Sequence, residues 1–508
     1  MKISYITLLF ILSCTIVSAQ TYNRLHERML TFSQSGAVSM SNVTSQSPDS
    51  LSSNSTAGQK NIIHHLGIFY HVFCSYISGF GDIYLRTSTD GIQWTAPVMV
   101  NDGASNTSQA NPALAVIDSG SIVKVIVTWG DNRLGNNNVQ FRSAVSNNGG
   151  ISFQPSVQIS SHNNSPIFIL GNVACDVGGI VYVTWYPDFG GSVDETWFSR
   201  STDGGYTWLP MTVAFNGLIP NPCQIVTRNT GEVLIVVSED QFNKKNLIAV
   251  VSSDSGNTWS NHQFTSYTGF QEIAQYHSTI VDDSGFVHTV WTYELNGSGL
   301  KFLYARSNDF GASWSAPVQV SDSGVTLMQN WAFNSEQWPS IVRSANNRLY
   351  ITWSDERQDI SAHDRNVFIA SSNNSGATWS TNIMVNDDST VFYQAEASLS
   401  VRSVFTNDEV LVTWIDNRSA NIINAVNEFS LTSSDVIAYP NPFTNELKIN
   451  NTNDKGEVIL FDISGKEILK QKTLSAETII NSSTIVAGFY LLNYSDGKRI
   501  LNLKVVKF

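Results

Sequence analysis

The chain has 508 residues, 42% of them apolar, so it is long enough for two or three domains with a sizeable core. Only 14% are charged, the net charge is -13 and the pI is near 5.1, which excludes the clustered Lys and Arg that phosphate neutralisation of a nucleic acid requires. Abundant Gly and aromatic residues point to short strands joined by tight turns, and so to an all-β protein.

At the N-terminus Lys2, an apolar run through Leu12 and the small residues Val17-Ser18-Ala19 have the layout of a cleavable secretory signal, residues 1–19. A lipoprotein signal through Cys14 is the alternative, with Leu12 standing where a smaller residue is needed. No second long apolar stretch follows, so no transmembrane segment is expected. Cys74, Cys175 and Cys223 are left after processing, an odd number in strand-like contexts that reads as buried thiols rather than a metal site. Residues 20–60 are expected to supply a closing strand near Met29 to Met40, followed by a Ser- and Asn-rich connection.

From residue 61 to 432 one pattern recurs six times at intervals of about 50 to 65 residues. The clear copies are Ser201-Thr-Asp203-Gly-Gly205-Tyr-Thr-Trp208, Ser252-Ser-Asp254-Ser-Gly256-Asn-Thr-Trp259 and Ser307-Asn-Asp309-Phe-Gly311-Ala-Ser-Trp314. Two carry Asn at the Asp position, Asn148 and Asn374, and the copy at Ser88 to Trp94 is one residue short. Such a segment makes a hairpin turn, with the Asp or Asn accepting backbone N–H groups, Gly supplying positive φ and Trp covering the sheet edge. A buried-strand unit can be counted separately at Val72–Tyr76, Val125–Trp129, Val181–Trp185, Val233–Val237, Val287–Trp291, Tyr350–Trp353 and Val410–Trp414. Seven such strands imply seven blades, with six as the alternative count, and the seventh must borrow its outer strand from the N-terminal segment.

The repeats resemble the Asp boxes (BNR repeats) of sialidase-like β-propellers, a resemblance that covers roughly residues 61 to 430. It implies that the boxes are scaffold and that ligands meet the opposite face, where loops leave the second strands and enter the next blades. Three of these loops share a constellation: Trp129-Gly-Asp131-Asn-Arg133, Trp353-Ser-Asp355-Glu-Arg357 and Trp414-Ile-Asp416-Asn-Arg418. They read either as strand-end Asp–Arg pairs internal to each blade or as a ring of carboxylates and guanidinium forks for a glycan, with Arg133, Arg357 and Arg418 as ligand-binding candidates. The long loop from Asp322 to Trp338 adds Trp331, Phe333, Glu336 and Trp338, of which Trp331 and Trp338 are candidates for stacking on sugar rings. Sialidases carry their first substrate-binding arginine in an Arg-Ile-Pro motif, which this chain lacks; its one Arg-Ile pair is Arg499-Ile500. Binding of a glycan or glycoprotein without hydrolysis is therefore the leading expectation. A glycoside hydrolase using Asp131, Asp355, Asp416 or Glu336 is the second reading, and a polysaccharide lyase using Tyr276 and His277 the third. No cofactor or metal is implied, and calcium is left open.

Residues 433–508 change in texture, with Tyr439-Pro-Asn-Pro-Phe443, Val458-Ile-Leu-Phe461, Gly488-Phe-Tyr-Leu-Leu492 and a basic end at Lys504 and Lys507. Short alternating strands suggest a small Ig-like β-sandwich. The segment resembles the type A sorting domain of type IX secretion, which implies contact with that machinery and a secreted or cell-surface location.

Overall fold

The computed structural model describes residues 24–416 and 437–507, apart from short connecting stretches. Those relevant here are 35–36, 42–43, 46–51, 54–59, 119–121, 190–194, 241–243, 323–337, 356, 358–364 and 388–393. The signal segment 1–19 and the residues around the 432/433 boundary lie outside the described set. The chain divides into two compact units, 1–419 and 420–508.

The described residues are all-β. In the first unit they form seven four-stranded antiparallel meanders, taken here in chain order from Ile62. The innermost strands are Ile62–His65, Gln109–Asp118, Phe168–Cys175, Gln224–Thr227, Glu272–Val281, Ser340–Arg343 and Gln394–Val404. Each contacts the next, and the last contacts the first, so the meanders close into a ring. The apolar runs counted in the sequence are the second strands, such as Val123–Asp131 and Val181–Asp188. Neighbouring meanders cover both of their faces, which is why they read as unbroken apolar segments rather than alternating ones: Val125, Ile126, Val127 and Trp129 are all buried.

The seventh meander is completed from the other end of the chain. Arg24–Phe32 runs antiparallel along Asn407–Asp416 over nine residue pairs, and Val38–Met40 adds the outermost strand. At this seam Glu27 and Arg86, both buried, pair at 2.8 Å, and the Trp94 indole donates to the other Glu27 oxygen. The Arg86 guanidinium also lies over the Trp94 ring and donates from Nε to His71 Nδ1.

Each box is a local network. In the third meander Asp203 Oδ1 accepts the N–H groups of Tyr206 and Thr207, while Ser201 Oγ accepts from Gly205 and donates to Asp203. Asn374 reproduces this with its amide oxygen on Thr378 N, so the boxes with Asn are chemically complete. The box also reaches the preceding meander. A Cβ at Gly256 would strike Phe198, and one at Gly376 would strike Tyr304, so at these positions positive φ and close approach both require glycine. The indoles follow: Trp259 packs edge-on against Phe198, Trp379 against Tyr304, and Trp208 donates to Ser143.

The second unit holds two small antiparallel sheets around one apolar cluster that includes Leu447, Ile449, Leu460, Ile480, Leu492 and Tyr494. The first is Ile437–Tyr439, Glu446–Asn450 and Glu477–Asn481, and the second is Glu467–Lys472, Glu457–Asp462, Gly488–Ser495 and Ile500–Lys507.

Two stability predictions follow from these seams. Trp259→Ala removes a half-buried indole and is expected to lower stability by about 2 kcal/mol, less than truncation of a fully buried Trp, read from urea unfolding of the purified chain. Glu27→Ala strands the buried Arg86 without a counter-charge and is expected to cost about 3–5 kcal/mol; an unfolding midpoint equal to that of the parent would show that the seam does not hold the ring.

Candidate functional site

Because every meander runs from the innermost strand outward, the loops leaving second strands and the loops entering the next meander share one edge of the ring. The boxes share the other. The first edge, the mouth, carries the Asp-x-Arg elements.

Asp131 ends a second strand, and its carboxylate accepts from the Trp129 indole, from the Arg133 backbone N–H and from Arg133 Nε and Nη2. Arg133 Nη2 also donates to Asp102, on the loop arriving from the first meander, at 2.9 Å. Asp102 in turn accepts from the N–H and hydroxyl of Ser156. Burial opposes ionisation of Asp102, but its hydrogen bonds from Ser156 and Arg133 outweigh it and hold the carboxyl down at about 2. The sixth meander repeats the arrangement. Asp355 accepts from Trp353 and Arg357, Arg357 donates to Asp322 and Asn382, and Asp322 accepts from Asn382 N. Each unit is thus a latch joining one meander to the next, with its guanidinium fork already occupied.

The latches have a signature in the repeats. Asp102 and Asp322 stand in Val100-Asn-Asp102 and Val320-Ser-Asp322, and Val385-Asn-Asp387 precedes the Asp416 meander. The loops entering the third, fourth and fifth meanders read Ile159-Ser-Ser161, Phe215-Asn-Gly217 and Phe264-Thr-Ser266, and those meanders lack Asp-x-Arg. Comparing loops across repeats, rather than each motif alone, identifies the latch.

The candidate acids Asp131, Asp355 and Asp416 are 0%, 1% and 0% exposed. Asp416 lies 4.0 Å from His26 Nδ1. Arg418, Trp331, Phe333 and Glu336 lie outside the described residues. His277 is fully buried, with Nε2 on the Val236 carbonyl, and burial lowers it to about 4.

Tyr276 and Trp338 are brought together. Their rings stack at 5.2 Å and cluster with Leu170 and Phe168. The third and fifth meanders are not neighbours in the ring, so the meeting of their side chains places the cluster toward its centre. Tyr276 is 4% exposed and Trp338 2%, yet Trp338 Nε1 has no hydrogen-bond partner, and none reaches the Tyr276 hydroxyl among the described residues. Burial, with the nearby Glu294 charge, raises the Tyr276 phenol above its ordinary range, and burial raises the Glu294 carboxyl as well. Tyr276 also has φ +46° at a bulge between Gln275 and His277, a backbone state uncommon for an aromatic residue. Asn111 (φ +57°) and Glu396 (φ +52°) occupy the same bulge in the second and seventh meanders. Such bulges re-aim side chains at a rim. Glu294, like Asp188 and Glu239, stands in sequence where other repeats have the Asp of Asp-x-Arg and is legible as a mouth residue from that; Asn111 and Glu396 are not, although the recurring Gln-Ala before both was an available signal.

Removing a latch leaves a buried carboxylate short of its partner. Arg133→Ala and Arg357→Ala are each expected to cost about 2–4 kcal/mol, measured by thermal and urea unfolding, with a parent-like melting temperature as the opposing result.

The family described as BNR repeat-like domain matches residues 78–266, and the family described as secretion system C-terminal sorting domain matches residues 437–507. Among solved structures, an ulvan lyase of a polysaccharide lyase family is similar at 12% identity over 70% of this chain and 88% of its own, with a TM-score of 0.46. A lectin of Aleuria aurantia is similar at 12% identity over 63% and 92%, TM-score 0.41. A Hadza microbial sialidase is similar at 12% identity over 79% and 90%, TM-score 0.39. No curated protein matches the chain. The sorting domain marks the protein for type IX export, to the cell surface or the medium. The chain thus carries both a BNR repeat-like domain and a secretion system C-terminal sorting domain.

Proposed function

We propose that this is an exported glycan-binding propeller that holds its ligand at the mouth and does not hydrolyse it. The carrying observation is the division of labour among the mouth residues. The candidate acids Asp131, Asp355 and Asp416 are buried, the first two inside latches, where proton exchange with a bound sugar has no path. The Trp338 indole N–H has no acceptor among the described residues, as holds for five other tryptophans, but it alone of these stacks on Tyr276 at the mouth, where an acceptor-rich ligand satisfies it. Hydroxyl and ring oxygens of a sugar are such acceptors, and the strained φ of Tyr276 fits a residue held in place for binding.

A second reading, hydrolysis, is favoured by Glu294. Its carboxyl is raised by burial beside Tyr276 and so is suited to donate a proton.

The test is a glycan array probed with the full chain, followed by product analysis on each ligand found. Saturable binding without new reducing ends or unsaturated products is expected, and Tyr276→Phe is expected to weaken it about 3- to 10-fold, the loss of one hydrogen bond. New reducing ends that vanish in Glu294→Gln would establish the hydrolase instead, and unsaturated ends a lyase.

A further inference from the structure

The edge of the ring opposite the mouth carries two kinds of turn: the one joining each innermost strand to its second strand, and the boxes. The seventh, first, second and third meanders are consecutive around the ring, and their inner turns expose Phe405, Leu66, Ile122 and Val177. The boxes of the first three add Ile92, Ile151 and Tyr206. Exposure in this set runs from 37% at Tyr206 to 82% at Val177. The tips adjoin one another. Gly149 of the second box donates to the Val123 carbonyl beside Ile122, the Tyr206 hydroxyl donates to Asn147 of that box, and Arg402 of the seventh meander donates to the Thr89 carbonyl of the first box. The other half of the same edge is different. Among the described residues its turns and boxes expose no large apolar side chain, and its inner turns hold ion pairs, Arg228 with Glu232 and Arg343 with Asp282 and Asp283. Leu66 and Phe405 also have φ of +47° and +56°, a backbone state that the sixth meander's turn gives to Asn347. Large apolar residues kept exposed in a conformation that Asn or Gly adopts at less cost point to a use for their side chains.

We infer that this apolar half of the box edge is the contact surface for a second copy of the chain, the two rings meeting box edge to box edge about a two-fold axis with both mouths left free. Exposed apolar patches beyond a few hundred Å² mark interaction surfaces. At roughly 100 Å² each, these side chains present about 700 Å² on one copy and about 1,400 Å² across a pair, inside the range of specific protein interfaces. A two-fold contact sets the patch against itself, so apolar tips meet apolar tips and no matching charge pattern is needed. The ion-paired half then stays in solvent. A lipid surface fits less well, because the net charge of -13 opposes anionic headgroups and Asp203 stands ionised among the tips. In a protein contact that carboxylate keeps the Tyr206 and Thr207 N–H groups and the Thr207 hydroxyl that it already accepts. The like charges of two copies are screened beyond about 8 Å at physiological salt. Nothing in the contact depends on what the mouth binds.

The test is sedimentation equilibrium of the full chain over a concentration series. A reversible shift from one-chain to two-chain mass is expected, unchanged or tighter at about 0.5 M NaCl, since salt screens the repulsion between copies and leaves apolar contact intact. Val177→Asp and Ile151→Asp, each on an exposed turn, are expected to keep the parent's melting temperature and to weaken pairing at least about tenfold each. If one of them folds poorly, the other carries the test. Leu134→Asp removes a comparably exposed apolar side chain from the mouth edge and is expected to leave pairing unchanged. A one-chain mass at every concentration, pairing that survives both substitutions together, or pairing that Leu134→Asp also breaks would overturn the interface. So would monomers that float with phosphatidylcholine vesicles and lose this in Val177→Asp, which would assign the face to lipid.

Discussion

The ring depends on one pairing, that of Arg24–Phe32 with Asn407–Asp416, because it joins the first described strand of the chain to its last meander. Register there is fixed by more than alternation. Glu27 faces Thr413 in the position where the second meander has Ser143 facing Thr128, and in both places a box tryptophan donates to the side chain, Trp94 to Glu27 and Trp208 to Ser143. At the closing seam the Arg86 guanidinium pairs with that side chain as well. A slip of one residue would turn Glu27 to the opposite face and leave Arg86 buried without its carboxylate. A buried ion pair is weak evidence for extra stability, since desolvation offsets much of the attraction, but it penalises every other register heavily. The pair thus acts as a specificity device for ring closure.

The same logic explains why box chemistry tolerates drift while box geometry does not. Asn for Asp at 148 and 374 keeps an oxygen acceptor for the turn N–H groups, and the missing residue before Trp94 is absorbed by Asp90 accepting from Ile92 and Gln93. The glycine four residues after the box serine is different. At Gly150, Gly256, Gly311 and Gly376 a Cβ would collide with the neighbouring meander, at Gly205 it would press on Val145, and φ is positive at all five. The box is therefore a spacer between meanders as much as a turn.

Most of the fold was legible in the sequence because it is repeated. Six boxes and seven apolar second strands are local patterns, and the sorting domain has its own motifs, so none required tertiary information. What escaped was set by contacts between repeats. Glu27 and Arg86 are far apart in sequence, and nothing near Arg86 distinguishes it from a surface strand residue. The positive φ of Asn111, Tyr276 and Glu396 is imposed by bulges that the second strands force on the innermost ones, against the backbone preference of Tyr and Glu. Tyr276 and Trp338 were legible as aromatic candidates at the mouth, but not their stacking on each other, which needs the ring to bring the fifth and sixth meanders together.

The latches also divide the mouth into two kinds of rim. Where Asp102 meets Arg133 and Asp322 meets Arg357, consecutive meanders are tied at their upper edges by charge-assisted hydrogen bonds, and the side chains best suited to grip an anionic sugar are used up holding the ring. The third to fifth meanders lack these ties. Their upper ends carry Asp188, Glu239 and Glu294, and their channel side carries Leu170 and Tyr276. A sector without Asp-x-Arg can change its loops without loosening a latch. The strained Tyr276 lies in that sector, and Trp338, on the adjoining tied meander, supplies the fixed surface against which it is held.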